Sequence, residues 1–469
     1  MAFPTILFNT TTGGSDTAAS GAGPATALTG TNASYSGAVV TLDGSPDLSG
    51  VATDGSHVLY LVTSAGVKFF KITAVDNGAD TVTVTPSPTG TTTGRTWAIG
   101  GKRSSMASAT SKLLVDNGGS AGDAKAGWTL QMESGYTETI GATFDLRVTG
   151  DTTDGPLTIQ AAPGAATRPV LTFTNNGNAI LFRGTYQVLR GFKMVNSNAT
   201  KTLSLAVGSG SGTTPSHIDN MIIGDVTNKF WRGISIGTVG PAATIRRSLI
   251  TSCASYGFHA GIGFILEDSR ITGCGDHGIF CDSGTGGNRR IVRCLIDGNT
   301  GDGYHNESTT STNQQNTIDS NIFYNNGGDG IEFNQAVSSG HFGSLSILRN
   351  MFILNGGYGH NLTDLTAAGQ AAWGLRIDWN AYYSNTSGTH NGGSLGDNEI
   401  TLSANPFEDA GADDFNLNNT AGGGADLRDL SETERVAESF PYREWVADSF
   451  GGGEASLIYV RGANALLRM

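Results

Sequence analysis

A chain of 469 residues with 28 Lys plus Arg against 41 Asp plus Glu carries a net charge of −13 and no basic run, which excludes a duplex-binding surface built on clustered positive charge. Gly stands at 68 residues, charged residues at 15% and hydrophobic residues at 38%, too apolar for a disordered chain and too Gly-rich for a helical enzyme. Many short strands joined by tight turns fit this mixture, in a chain long enough for two or three domains.

The N-terminus, "MAFPTILFNTTTGG", has no basic leader and only a short apolar run, and no stretch reaches the length of a membrane span. The expectation is a product made in a host cytoplasm without a signal peptide and without a membrane span. "TTTGGSDTAASGAGPATALTGTNAS" reads as an extended arm. Behind it, strand-like runs at His57–Val62, Lys68–Val75 and Thr81–Thr85, the last two joined by the turn "DNGAD", predict a small β-barrel or β-roll. "SSMASATSKLLVDN", Ser104 to Asn117, has the pattern of a short amphipathic helix capping an open solenoid end.

The middle of the chain repeats. "SLITSCASYGF", "SRITGCGDHGI", "CLIDGNTGDGY", "NIFYNNGGDGI" and "NMFILNGGYGH" align without gaps from Ser248, Ser269, Cys294, Asn321 and Asn350, with starts 21 to 29 residues apart. The third column holds Ile250, Ile271, Ile296, Phe323 and Phe352, and the sixth Cys253, Cys274, Asn299, Asn326 and Asn355. The tenth is Gly257, Gly278, Gly303, Gly330 and Gly359. An aliphatic, from Ile245 to Ile347, stands three residues before each start, and a sixth copy begins at Asn380 with Asn385 in its sixth column. Short alternating strands at this period predict a parallel β-helix, in which stacked coils bring like residues into columns about 4.8 Å apart. The asparagines are expected to form an amide ladder, and the glycines to supply a positive φ or a close backbone approach.

Three earlier segments, "AGWTLQMESGYTET", "GPLTIQAAPGAATRPVL" and "LRGFKMVNSN", show the same alternation of short strands and turns. Together with the repeats they resemble the pectin-lyase-like right-handed β-helix superfamily, and "ANPFEDAGADDFNLNN" (Ala404 to Asn419) resembles the segment that closes many such helices. The resemblance spans roughly residues 104–420 and implies an all-β fold, not a reaction. The region from "FPTILFNTTTGG" to "TWAIGGKR" resembles attachment regions of bacteriophage virion proteins. The chain is thus read as an N-terminal β-rich attachment domain with an arm (residues 1–103), a right-handed parallel β-helix (104–420) and a C-terminal cap or oligomer-contact segment (421–469).

Candidate chemistry gathers on the repeats. Asp302 and Asp329 share the ninth column, flanked by His277 and Tyr358; the twelfth holds His259, Phe280, His305, Glu332 and Asn361. Stacking would bring the two Asp carboxyls near the roughly 5 Å separation of a retaining glycosidase pair. If the protein is an enzyme, Asp302, Asp329, Glu332 and His305 are its catalytic set. Against this stands Asp-Gly as a tight-turn dipeptide, repeated at one corner and replaced there by His-Gly and Tyr-Gly, which geometry alone explains. Lys229 and Arg232 in "NKFWRG" invite comparison with the basic residues of superfamily lyases, but their flanks differ from the lyase pattern. The pairs Arg246–Arg247 and Arg289–Arg290 read as solvated, outward arginines. "GSGSG" lacks the Lys-Ser/Thr of a phosphate loop, and no Ser-His-Asp arrangement is legible.

Cys253, Cys274, Cys281 and Cys294 lack zinc-site spacing and read as buried thiols. No cofactor, metal or nucleic acid is expected. The first reading is therefore a virion structural protein (tailspike, tail fibre or surface fibre), homotrimeric, joined to other virion proteins through its N-terminal region and binding a host cell-surface glycan without cutting it. The alternative is a polysaccharide lyase or glycoside hydrolase that depolymerises an acidic or capsular polysaccharide in the same groove.

Overall fold

The computed structural model of the chain describes residues 5–8, 28–53, 57–63, 66–85, 87–88, 91–100, 102–103, 106, 129–146, 155–182, 186–198, 203–207, 216–227, 229–237, 243–282, 287–307, 315–334, 344–363 and 374–428. The helix expected over Ser104–Asn117 (Met106 apart), most of the arm and the tail from Leu430 lie outside the described residues. Two compact units emerge: Met1–Asn198 with Gly210–Ser216, and Ala199–Ser209 with His217–Met469.

In the first unit, six antiparallel strands from Leu28–Ser36 to Thr91–Gly100 close into a barrel. Alternation drives the closure: in Thr81–Thr85 the two valines point inward and the threonines outward. Leu59, Leu61, Ile72, Val82, Val84, Trp97 and Ile99 fill the interior. Trp97 resolves its one polar atom by donating its indole N–H to Asp43 Oδ1 at 2.5 Å. Thr5–Phe8 does not join the barrel. It pairs in parallel with Lys102–Arg103 on one side and with Thr129–Met132 on the other, so this piece of the leading region extends a parallel sheet of the first unit.

The second unit is a right-handed parallel β-helix, each full coil carrying three short strands. Its first sheet stacks seven strands, from His217–Asp219 to Arg376–Asp378. The columns meet as the repeats predict. Ile250, Ile271, Ile296, Phe323 and Phe352 are consecutive register partners and all fully buried. Phe323 and Phe352 stack with ring centroids 5.2 Å apart, and Tyr382 continues the stack at 5.4 Å. Asn299, Asn326, Asn355 and Asn385 form a ladder of side-chain amide bonds at 2.9, 3.0 and 2.9 Å. Asn321, Asn350 and Asn380 form a second ladder at the coil's other corner, at 3.0 and 3.1 Å. Each Oδ1 that accepts an amide in that second ladder also accepts a backbone N–H from the coil before it, so buried amides are satisfied along the stack. All four cysteines are free and buried.

Two expectations change in detail. The tenth-column glycines have no positive φ; they are there for close approach. A Cβ on Gly303 or Gly330 would run into Phe323 or Phe352 and the next coil's carbonyl. The positive-φ corners fall elsewhere: just before each repeat, at Arg247, Asp268, Arg293, Ser320, Arg349 and Trp379, and at the fifth column, at Ser252, Gly273, Gly298, Asn325, Leu354 and Ser384. Nor do all the paired arginines face solvent. Arg246 and Arg290 both grip Glu267, at 2.9 and 2.7 Å, and Arg247 holds Asp219. Arg289 points inward at 2% exposure, donating to Asn306 Oδ1 at 3.0 Å. Its strand alternates, so of two adjacent arginines one must enter the coil.

The segment from Ala404 to Asn419 folds back along the outer side of the second sheet. A short hairpin of Phe407–Asp409 and Asp414–Leu417 covers the apolar outward column Leu295, Ile322, Met351 and Ala381. Phe415 and Phe407 meet Tyr324 edge-on at 5.3 and 6.0 Å. One coil before Leu295 the same column holds Arg270, whose guanidinium reaches both Asp297 and Asp413 at 2.7 Å. Burial works against this charge, but the two carboxylates hold it firmly protonated.

Candidate functional site

The third sheet, from Leu203–Val207 to Gly388–Asn391, places one strip of side chains on its outer side. Register partners Ser235, His259, Phe280, His305, Glu332 and Asn361 form one row. Three residues earlier in each coil stand Arg232, Tyr256, His277, Asp302, Asp329 and Tyr358. The four candidate residues Asp302, His305, Asp329 and Glu332 are therefore neighbours in space.

Their contacts explain the spelling "NNGGDGIEF". Asp302 Oδ1 accepts the backbone N–H of Asp329 at 2.6 Å, and Asp329 Oδ1 accepts that of Tyr358 at 2.5 Å. His277 Nδ1 begins the series by accepting the Asp302 N–H at 2.9 Å. His277, Asp302 and Asp329 thus each reach forward to the next coil rather than capping their own turns. The reach needs room, so Gly301, Gly328 and Gly357 stand where a Cβ would strike His277, Asp302 and Asp329 respectively. Within "NNGGDGIEF", Asn326 extends the amide ladder, Gly328 makes way for Asp302, Asp329 serves the coil beyond, and Gly330 admits Phe352. Ile331 and Phe333 point inward and Glu332 outward.

Around this backbone role lies an unusual charge set. His305 Nδ1 is 2.7 Å from both Asp302 Oδ2 and Glu332 Oε2, and its Nε2 is 3.2 Å from Glu307 Oε1. Burial opposes an imidazolium here, but the two close carboxylates raise the His305 pKa to about 10, so the ring is charged at neutral pH. Burial alone would push Asp302 up; hydrogen bonds with His277, His305 and Glu332 hold its carboxyl well below the usual range. Asp329 moves the other way. Burial raises it, aided by the charges of Asp302 and Glu332, and the Tyr358 N–H and the Asn361 amide at 3.0 Å offset this only in part.

The ligand atoms of Asp302, Asp329 and Glu332 lie within 4.8 Å of one another, as do those of His277, Asp302 and His305. Such carboxylate and imidazole oxygens and nitrogens suit a divalent cation chemically. The donors here are already committed to backbone N–H groups and to a protonated His305, which an arriving cation would have to displace.

Above the carboxylates the strip turns aromatic. Tyr256 stacks on Phe280 at 4.4 Å and His277 on His305 at 4.3 Å, with His259 next to Phe280 at 5.6 Å. The Arg232 guanidinium lies 5.2 Å over the Tyr256 ring, beside Trp231 at 40% exposure. Lys229 is exposed in the same coil. Tyr256, Ser235 and Asp282 went unread in the sequence. Ser235 was missed because its coil runs ten positions from its inward Ile223 to its close-approach Gly233, against seven from Ile250 to Gly257, so a gapless alignment starts one coil too late.

No protein-family model and no curated protein sequence matches the chain. Among solved structures it is similar to a pectate lyase, Pel9A, at 13% identity over 61% of this chain and 75% of that one, with a TM-score of 0.36. A periplasmic alginate epimerase, AlgG, matches at 13% identity over 59% and 78%, with a TM-score of 0.27. The catalytic domain of a GH87 α-1,3-glucanase matches at 8% identity over 80% and 90%, with a TM-score of 0.28. With scores this low, the architecture rests on the strand pairings themselves. No helix among the described residues is long and apolar enough to cross a membrane.

Proposed function

We propose that the protein is a glycan-binding structural protein of a bacteriophage particle, a homotrimeric tailspike, tail fibre or surface fibre that holds a host polysaccharide along the outer strip of its third sheet. One observation carries this reading: aromatic rings and hydrogen-bond acceptors share one strip and repeat coil by coil. Sugar rings offer apolar faces to aromatic side chains and hydroxyls to carboxylates and amides. Tyr256 and Phe280 supply the first, and Asp329, Glu332 and Asn361 the second. Acceptors spaced by the coil repeat of about 4.8 Å suit a polymer lying along the axis better than a single small molecule. The placement on a particle is supported by the virion-like spelling of residues 1–103. Binding to a panel of bacterial capsular and lipopolysaccharide glycans tests the proposal; a Tyr256→Ala/Phe280→Ala variant should lose affinity at least tenfold, and unchanged binding would count against it.

A second reading has its own support. Asp302 and Asp329 offer oxygens within 4.8 Å, and their surroundings push their pKa values apart. A divergent carboxyl pair is how one group keeps a proton while its neighbour stays ionised, as glycoside hydrolysis requires. Depolymerisation would then be lost in Asp302→Asn or Asp329→Asn, by about 10²–10⁴-fold. Asn keeps the oxygen that accepts the next coil's N–H, so both variants should fold. Cleavage by the parent chain, abolished in either variant, would establish this reading over simple binding.

A further inference from the structure

Two coils above the carboxylate cluster, three side chains from successive coils stand in hydrogen-bonded order. Ser235 and His259 are register partners on the outer side of the third sheet. Ser235 Oγ lies 3.2 Å from His259 Nδ1, and His259 Nε2 lies 3.0 Å from Asp282 Oδ2. A third contact fixes the protons. Arg232 Nη1 is 3.1 Å from the same Nδ1, and a guanidinium can only donate. Nδ1 is therefore unprotonated, the ring proton sits on Nε2 facing Asp282, and the Ser235 hydroxyl shares the single Nδ1 lone pair with Arg232 as its second donor. Burial and the Arg232 charge both lower the His259 pKa, so the ring is a neutral base. His259 is largely buried but Asp282 keeps 36% of its side chain in solvent, so the group opens on the strip's surface.

We propose that Ser235, His259 and Asp282 form a nucleophile–base–carboxylate triad that hydrolyses O-acyl esters on a bound polysaccharide; the substrate class rests on the glycan-binding reading above. The two ring nitrogens exchange the partners they have in serine proteases, but the roles require only a nucleophile on one nitrogen and an orienting carboxylate on the other. Ser235 Oγ attacks the acyl carbonyl carbon as its proton passes to His259 Nδ1. Asp282, facing the Nε2–H, stabilises the imidazolium so formed. Nδ1 then has no lone pair for Arg232, whose freed N–H turns to the carbonyl oxygen as it gains charge. Collapse breaks the ester C–O bond, the sugar oxygen takes the proton from Nδ1, and the acyl group stays on Ser235. Water then attacks the acyl-serine, gives its proton to Nδ1, and the second collapse returns that proton to Ser235 Oγ as the carboxylic acid leaves. Water is the sole co-reactant.

The test uses the full chain with a fluorophosphonate probe, p-nitrophenyl acetate and an O-acetylated polysaccharide. The expected result is phosphonylation at Ser235 by peptide mass spectrometry, with p-nitrophenyl acetate turnover falling to background in Ser235→Ala while polysaccharide binding persists. Asp282→Asn should lower kcat by about 10²–10⁴-fold with KM unchanged, the signature of a group acting through the base. No label at Ser235, or parental esterase activity in a folded Ser235→Ala variant, would overturn the triad. Esterase activity on the small ester without polysaccharide binding would instead overturn the glycan reading and leave the triad standing.

Discussion

Asp329 is a backbone acceptor first and an acid second, and that order has measurable consequences. Gly328 exists to let the Asp302 carboxylate lie across the coil boundary, so Gly328→Ala should destabilise the chain by about 1–3 kcal/mol, read as a lower thermal midpoint. His305 sets the pH response. Its folded pKa of about 10 is above its ordinary 6.5, so its pairing stabilises the fold fully below about pH 6.5 and is lost as pH rises through about 10. Asp302, depressed in the fold, contributes the opposite limb: its stabilisation is present above its ordinary 3.8 and fades as pH falls. Thermal melts across pH should show both declines, and His305→Gln should flatten the alkaline one. An unchanged alkaline limb in that variant would contradict the charge assignment. The corners make a separate prediction: Ser384, exposed at φ +49°, should gain about 0.5–1 kcal/mol on replacement by Gly, since the fifth column already holds Gly273 and Gly298.

At the scale of strands and coils, the legible features were those that every coil repeats. Ile250 to Phe352 could be read as one stack because each coil imposes the same inward demand at the same position. Phe323→Ala, removing a fully buried ring held between two neighbours in that stack, should cost about 3–5 kcal/mol. The positive-φ corners were illegible because Gly273, Gly298 and Asn325 share them with Arg, Asp, Ser, Trp and Leu, a mixture with no common turn signature, and the tenth-column glycines drew attention to the wrong place. The covering hairpin was illegible for another reason. Arg270 meets Asp413 across 143 positions of sequence, once, and a single contact leaves no period. Arg270→Ala strands the buried Asp297 without its cation and releases the hairpin, a loss of about 3–5 kcal/mol. Limited proteolysis should then cut between residues 404 and 419, and resistance there would show that Phe407 and Phe415 hold the hairpin without the ion pairs.

For the whole molecule, the first hundred residues do more than lead into the solenoid, because Thr5–Phe8 pairs with Thr129–Met132. Deleting residues 1–103 leaves that strand with an unpaired edge, so the truncated chain should keep its β-helix but melt earlier and associate more readily than the full chain. Equal melting temperatures would mean that Thr5–Phe8 adds nothing to the helix. The site itself was only half visible in the sequence: the carboxylates and Tyr256 sit in the gapless repeat, whereas Ser235 emerges once the longer preceding coil is brought into register. What unites these features is a single strip along the third sheet, and titration calorimetry of the full chain with a glycan selected from the bacterial panel tests that claim most directly. The expected result is saturable binding that weakens at least tenfold in the Tyr256→Ala/Phe280→Ala variant with its melting curve preserved; a glycan bound equally well by parent and variant, or no glycan bound at all, would contradict a binding strip on this sheet.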